Sequence, residues 1–286
     1  MREKGLVTVA VLAYNHEPYV RQCLESVVGQ THHALEVVFI DDGSSDRTYE
    51  LGREFLVKSG VRHVALQTKD RFICANLNLI LKEYAKGEYF AVISGDDWWA
   101  PENIAKKARF LESHPDHPLV YSRVDYYYQK TGCSEPMRKH YADGSIFERL
   151  LQDNFIAAHS ALIRTAIFEE VGYYDESSKV EDWDMWLRIA KSNPIGFIDE
   201  RLGYYRIHDK NMSGCEKLML ESMIYILCKH PDSELARVRS RKLIIQHGVL
   251  YAPFSEALNA FAHHGACDMH SIRQFIKLFV RGIRST

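Results

Sequence analysis

The sequence predicts an α/β fold: a mostly parallel central sheet flanked by helices, followed by a C-terminal helical extension. Three observations lead there. Short apolar runs alternate with helix-period segments at short loop lengths, which is the signature of βαβ units. Three of the runs stop in polar loops, Tyr14-Asn15, Asp41-Asp42 and Asp96-Asp97, and a parallel sheet gathers such loops at one edge. Beyond about residue 214 the pattern turns helical throughout. The expected organisation is a catalytic or binding domain over 1–213 and a helical region over 214–286.

The elements follow in order. Leu6 to Ala13 (LVTVAVLA) reads as the first buried strand, broken by Tyr14-Asn15-His16-Glu17-Pro18. Val20, Cys23, Leu24, Val27 and Val28 then share a helical face. Leu35 to Ile40 is a second strand. Ser44, Ser45 or Asp46 is placed to cap the helix after it, which buries Leu51 and Phe55. Val61 to Leu66 is a third strand. Leu77, Ile80, Leu81 and Tyr84 mark a helix closed by Gly87. Tyr89 to Ile93 is the fourth, a continuous apolar run that suits a strand buried on both faces. Pro101 is suited to open a helix with Ile104, Ala108 and Leu111 inside. Leu119 to Tyr128 reads as a strand, Ser145-Ile146-Phe147-Glu148 as a capping box, and His159 to Arg164 as another strand.

The stretch Ser94-Gly95-Asp96-Asp97-Trp98-Trp99 ends the fourth strand in two adjacent carboxylates. Like charges so close are costly unless a positive group sits between them. A divalent metal carrying a phosphate meets that need, since hard cations prefer carboxylate oxygen. An Asp-rich turn that caps the next helix is the alternative.

Composition narrows the field. Of 286 residues, 46% are hydrophobic and 26% charged, with a formal net charge of -2, so there is no basic field for nucleic acid. Cys23, Cys74, Cys133, Cys215, Cys228 and Cys267 are scattered, with no CxxC pair, which favours reduced thiols over disulfides or zinc. The opening residues show no signal-peptide core and no run reaches the length of a bilayer span, so the expected location is cytoplasmic. In the tail, Ile272, Phe275, Ile276, Phe279, Val280 and Ile283 oppose Arg273, Lys277, Arg281 and Arg284. Such a helix docks on its own protein or a second copy, or lies at the inner face of a membrane.

The order Ala13-Tyr14-Asn15, Asp41-Asp42-Gly43-Ser44, Gly95-Asp96-Asp97, Glu181-Asp182 and Tyr205-Arg206-Ile207-His208 resembles family 2 glycosyltransferases over residues 6 to 213. The resemblance implies a GT-A type, Rossmann-like fold and an inverting transfer from a nucleotide sugar, UDP-linked, to a glycan or lipid-linked glycan. It implies donor binding by Ala13, Tyr14, Asn15, Glu17, Asp42 and Asp96, with Asp42 taking the base N–H and Asp96 near the ribose. It further implies Mn²⁺ or Mg²⁺ on Asp97 with His208, and Asp182 as general base, Asp175 and Asp184 standing in reserve. Arg206 is either a phosphate partner or a structural bridge, His159 borders the acceptor, and Trp183 and Trp186 wall the site. Two departures stand out. The segment Ala75-Asn76-Leu77-Asn78-Leu79 lacks the family's glycine, and Gly95 replaces the first acid of the DXD motif. A sugar nucleotidyltransferase would show a glycine-rich basic loop after the first strand, which Tyr14 to Pro18 is not. A nucleotide- or glycan-binding subunit with a degenerate site stays open.

Overall fold

The computed structural model describes residues 2–211 and 215–251. The chain divides into two compact units, Met1–Ser177 with Glu181–Asn211, and Ser178–Val180 with the chain from Met212 onward. The division falls two residues before the expected boundary and adds the short 178–180 segment to the second unit.

The first unit opens with β1 (Glu3–Ala13), α1 (Val20–Val28), β2 (Leu35–Asp41), α2 (Thr48–Ser59) and β3 (Arg62–Gln67). Next come α3 (Phe72–Leu79), which runs on into a π turn, β4 (Gly87–Ser94), β5 (Trp98–Trp99) and α4 (Asn103–Ser113). Then follow β6 (Leu119–Tyr128), β7 (Cys133–Pro136), α5 (Phe147–Gln152), β8 (Ala161–Arg164), α6 (Ile167–Val171), α7 (Glu181–Ala190) and β9 (Ile195–Ile207). The second unit contains α8 (Glu216–Cys228) and α9 (Glu234–Tyr251). The tail helix expected over residues 272–283 lies outside the described residues.

One sheet joins the nine strands in the order β3-β2-β1-β4-β8-β6-β9-β5, with β7 paired to β6. β1 through β4 are parallel to one another where they pair, and β6 and β9 are parallel. The antiparallel pairings involve β5, β7 and β8. The parallel half is covered on both faces, which explains why β2 is buried at all seven positions. Val9, Val11, Val37, Phe39, Ala91 and Ile93 pack with Val20, Leu24 and Val27 of α1 and with Ile104 and Leu111 of α4.

Local boundaries differ from expectation at several places. Arg47, instead of Ser44, Ser45 or Asp46, stands at the N-cap of α2, with no side-chain cap bond of its own, and Gly87 opens β4 instead of closing a helix. Residues 101–102 form a turn before α4, so Pro101 precedes the helix instead of opening it. No side chain caps α5, so Ser145 makes no capping box there. His159 sits in a 3₁₀ turn, and its strand begins only at Ala161.

Two polar side chains interrupt the apolar strands. Thr8 Oγ1 donates to Glu36 Oε1 at 2.6 Å, Lys86 N–H donates to the same oxygen at 2.6 Å, and Gly87 N–H donates to Thr8 Oγ1 at 2.9 Å. Arg62 Nε lies 3.1 Å from Glu36 Oε2. This network joins the starting ends of four strands and satisfies groups that would be costly to bury alone. Gly87 is fixed by it: a Cβ there would stand 2.6 Å from Thr8 N and 2.7 Å from Leu6 O, both backbone atoms. Gly87→Ala is therefore expected to destabilise the fold by about 2 kcal/mol or more. Urea unfolding with an unchanged midpoint would contradict this.

Candidate active site

β1, β2 and β4 end at one edge of the sheet, and the polar loops after β1 and β2 are hydrogen-bonded to each other. Asn15, at φ 54°, accepts from Ser45 N–H at 2.9 Å and gives its own N–H to Ser44 Oγ at 2.7 Å. His16 N–H reaches Thr48 Oγ1 at 2.7 Å, and Glu17 Oε2 accepts from Arg47 N–H at 2.9 Å. Asn15 and Glu17 thus bind the 43–48 loop through their side chains and form a rim. Ala13 is buried and contributes its carbonyl, which accepts Asp42 N–H at 2.9 Å, while Tyr14 is exposed.

Asp42 is held by the β3–α3 connection. Thr68 Oγ1 donates to Oδ1 at 2.8 Å, Arg71 N–H to Oδ1 at 3.1 Å, and Phe72 N–H to Oδ2 at 2.9 Å. Burial alone would raise this carboxyl, but the bonds from Thr68, Asn76, Arg71 and Phe72 together carry it below its ordinary range. It is an ionised, fixed acceptor.

The two acids after β4 have opposite surroundings. Asp96 Oδ2 accepts from His208 Nε2 at 3.0 Å and has His16 Nε2 at 3.7 Å. Burial pulls its pKa up, yet the His208 hydrogen bond and the His16 charge bring it down to about 2. Asp97 is 3% exposed. Its Oδ1 accepts Arg206 N–H at 2.9 Å and its Oδ2 lies 3.4 Å from His159 Nδ1. Burial, with Asp96 adjacent, pushes Asp97 well above the usual carboxylate range. The expected pairing of Asp97 with His208 is therefore not how the side chains lie: His208 is on Asp96, and Asp97 is walled in beneath it.

Gly95 has a steric reason. A Cβ there would come within 3.0 Å of Ala13 Cβ and of His16 Nδ1. A side chain at this position would need Ala13 or His16 to give way by a few tenths of an ångström.

Arg206 is structural in its contacts. Nε donates to the Asp96 carbonyl at 2.7 Å, and the terminal nitrogens donate to Gln129 Oε1 at 2.5 Å and Gln22 Oε1 at 2.7 Å. Its guanidinium carbon lies 4.5 Å from the Trp98 ring centroid and 4.7 Å from that of Tyr19.

Asp182 opens α7. Its Oδ1 accepts from Asn154 Nδ2 at 3.2 Å and from Trp183 N–H at 2.6 Å, and Ala158 N–H supports it. Burial raises both Asp182, to about 6, and its neighbour Glu181, which the Asp182 charge raises further. Ala158 and His159 are consecutive, so one turn touches Asp182 with its first residue and Asp97 with its second. Trp183 and Trp186 are buried and donate to Leu150 O at 2.8 Å and Ile156 O at 3.0 Å. They pin that segment from within the core instead of walling a ligand. Asp184 is likewise buried and engages Arg188 at 3.0 Å. Asp175 accepts Ser177 N–H at 2.9 Å in a surface turn.

Sequence reasoning missed His16, Thr68 and Asn76. His16 was visible as a residue in a strand-end loop, but nothing local showed that it turns toward Asp96. A shallow depression of about 450 Å³ is lined by Tyr49, Glu50, Arg53, Glu54, Val57 and Lys58, all on the single helix α2.

His159 is 3% exposed, and burial, then the Lys107 charge, lower its pKa from 6.5 to about 3. The neutral imidazole is favoured in the fold, so its stabilisation is complete above pH 6.5 and is lost as pH falls toward 3, by up to about 1.4 kcal/mol per pH unit. Asp97, shifted upward, works in the opposite sense. The check is the difference between wild type and His159→Gln: the variant should lose less stability on going from pH 7 to about pH 5 in denaturant titrations. Parallel pH profiles would refute the assignment.

Comparisons with known proteins give the family and the fold. The family model described as Glycosyl transferase family 2 matches residues 8–172. An uncharacterized glycosyltransferase of Rickettsia felis is 29% identical over 203 residues, covering 70% of this chain and 33% of that protein. One from Rickettsia typhi is 27% identical over 225 residues, covering 76% and 68%. The chain thus spans about a third of the first relative's length. Among solved structures, Staphylococcus aureus TarS superposes with TM-score 0.63 at 19% identity, covering 91% of this chain and 49% of that one. The mannosyltransferase PcManGT from Pyrobaculum calidifontis, solved with GDP-Man and Mn²⁺, gives TM-score 0.62 at 16% identity, covering 95% and 78%. These structural likenesses establish the GT-A fold. The family match spans more than half of the sequence, and the chain belongs to glycosyl transferase family 2.

Proposed function

We propose that this chain transfers a sugar from a nucleotide-sugar donor, UDP-linked, to a hydroxyl of a glycan or lipid-linked glycan, with inversion, in the synthesis of a surface polysaccharide or glycoconjugate. The carrying observation is three differently tuned carboxyls: Asp42 after β2 and Asp96 after β4, both held ionised, and Asp182, raised at the start of α7 and linked to Asp97 only through the Ala158–His159 turn. TarS residues 1–349 were solved with UDP-GlcNAc, at TM-score 0.62 and 20% identity, covering 98% of this chain and 81% of that one. That neighbour and the GDP-Man complex support a nucleotide-sugar donor.

Among the described residues no three His, Cys, Asp or Glu side chains form a metal cage by themselves, so a divalent cation here would be held by few protein ligands and completed by donor phosphate oxygens. Asp96 Oδ1 is buried without a hydrogen-bond partner, and the imidazoles of His208 and His16 stand on the other oxygen. A carboxylate with imidazole suits Mn²⁺, and carboxylate with phosphate oxygen suits Mg²⁺. Asp96 and His208 would hold the ion, which, when bound, supplies Lewis-acid stabilisation of the departing diphosphate. This reading moves the metal role from Asp97 to Asp96. Burial keeps His16 below its ordinary pKa, and hence neutral beside the site at pH 7.

The chain's own groups do the rest. Asp42 accepts a ring N–H of the base. Asp182 accepts the proton of the attacking hydroxyl as the new bond to the anomeric carbon forms and the bond to the nucleotide diphosphate breaks. A raised pKa makes Asp182 a stronger base that is still ionised above its titration, so activity should rise with pH through a limb lying above the ordinary carboxylate range.

Asp182→Asn is expected to keep UDP affinity and lose about 10²- to 10⁴-fold in kcat for UDP release. Full activity would remove Asp182 from the chemistry. EDTA should suppress transfer by wild type, and Asp96→Ala should depress it in either condition, whereas equal rates in all four assays would exclude the metal role. UDP binding without turnover on any donor would identify a binding subunit instead.

A further inference from the structure

Two residues with exposed aromatic side chains, Tyr14 and Phe72, lie on the backbone segments bonded to Asp42. Among the described residues of the first unit, the exposed large hydrophobics are Tyr14 at 58%, Val57 and Phe72 at 64%. Tyr14 follows Ala13, whose carbonyl accepts the Asp42 N–H. Phe72 donates its own N–H to Asp42 Oδ2 at 2.9 Å.

The backbone at Phe72 is unusual. Its φ is 62°, and Asp70 two residues earlier has φ 54°. A bulky residue rarely adopts this left-handed conformation, which glycine would take without cost. The conformation directs the successive N–H groups of Arg71 and Phe72 onto one carboxylate, at 3.1 Å and 2.9 Å. Strain of this kind persists where surrounding contacts impose it, and it concentrates at ligand sites. An apolar ring displayed on a strained backbone, one hydrogen bond from an ionised acceptor, has the chemistry of a stacking surface for a planar heterocycle with a ring N–H.

We propose that Phe72 is a base-stacking residue of the donor site, forming with Tyr14 a two-ring clamp for the nucleobase of a nucleoside diphosphate, with Asp42 taking a ring N–H between them. The proposal rests on the reading of Asp42 as the base acceptor. Phe72 sets how firmly the base is held and does not touch the reacting atoms.

The test uses the full chain with Mn²⁺ and isothermal titration of two probes: UDP, which carries a base, and inorganic pyrophosphate, which does not. Phe72→Gly removes the ring, keeps the N–H to Asp42 and suits the positive φ. The expected result is UDP affinity about 5- to 100-fold weaker, the range that loss of one aromatic–base stack produces. Pyrophosphate affinity should stay within about twofold. Phe72→Tyr should restore UDP binding. UDP affinity in Phe72→Gly equal to wild type would overturn the clamp while leaving the donor site standing. Equal losses for UDP and pyrophosphate would overturn it as well, by assigning Phe72 to the loop's general shape. A folded wild type that binds none of UDP, GDP or TDP would instead remove the donor reading, and the clamp with it.

Discussion

A buried guanidinium organises the site. Arg206 lies at the end of the longest strand, yet the side-chain partners of its fork are two amide oxygens and three aromatic faces, those of Tyr19, Trp98 and Tyr127. Its Nε fixes the Asp96 carbonyl and its backbone N–H fixes the Asp97 carboxyl. One residue therefore sets the peptide that carries both acids, and through Gln22 it attaches α1 to the same point. Burial of such a group is tolerable because its donors are met and its flat faces are covered by rings, an arrangement that lysine could not reproduce.

Adjacent carboxyls with opposite tendencies follow from that frame. Asp96 faces two imidazoles and stays ionised, while Asp97 turns inward, where charge is disfavoured. The pair thus avoids the repulsion that two neighbouring anions would suffer. The same logic separates Asp42, whose charge is offset by convergent N–H and O–H donors, from Asp182, which burial raises although it too accepts hydrogen bonds.

The architecture was legible from periodicity because the strands of the parallel half are apolar on both faces and the loops are short. The family order of motifs located every acid at a strand end or helix start. What the sequence could not convey was direction. Asp96 and Asp97 are equivalent in a string, and only the register of Trp98 and Trp99 with Tyr204 and Gly203 decides which one meets His208. Trp183 and Trp186 looked like walls because they adjoin Asp182, but on a helix, neighbours in sequence diverge in space, and both indoles turn to the core. The cap expected from Ser145 and the helix start expected at Pro101 failed because local preference is weak beside the packing that sets where α5 and α4 begin.

The rim formed by residues 15–17 and 44–48 has an evolutionary meaning. Its ties alternate between main chain on one loop and side chain on the other, so neither loop can change alone without stranding a donor or acceptor. Drift at either segment should be accepted only as matched exchanges. Diversification of this protein's relatives toward other partners would then be channelled into the β3–α3 connection and the far half of the sheet, leaving the rim as the inherited part of the molecule.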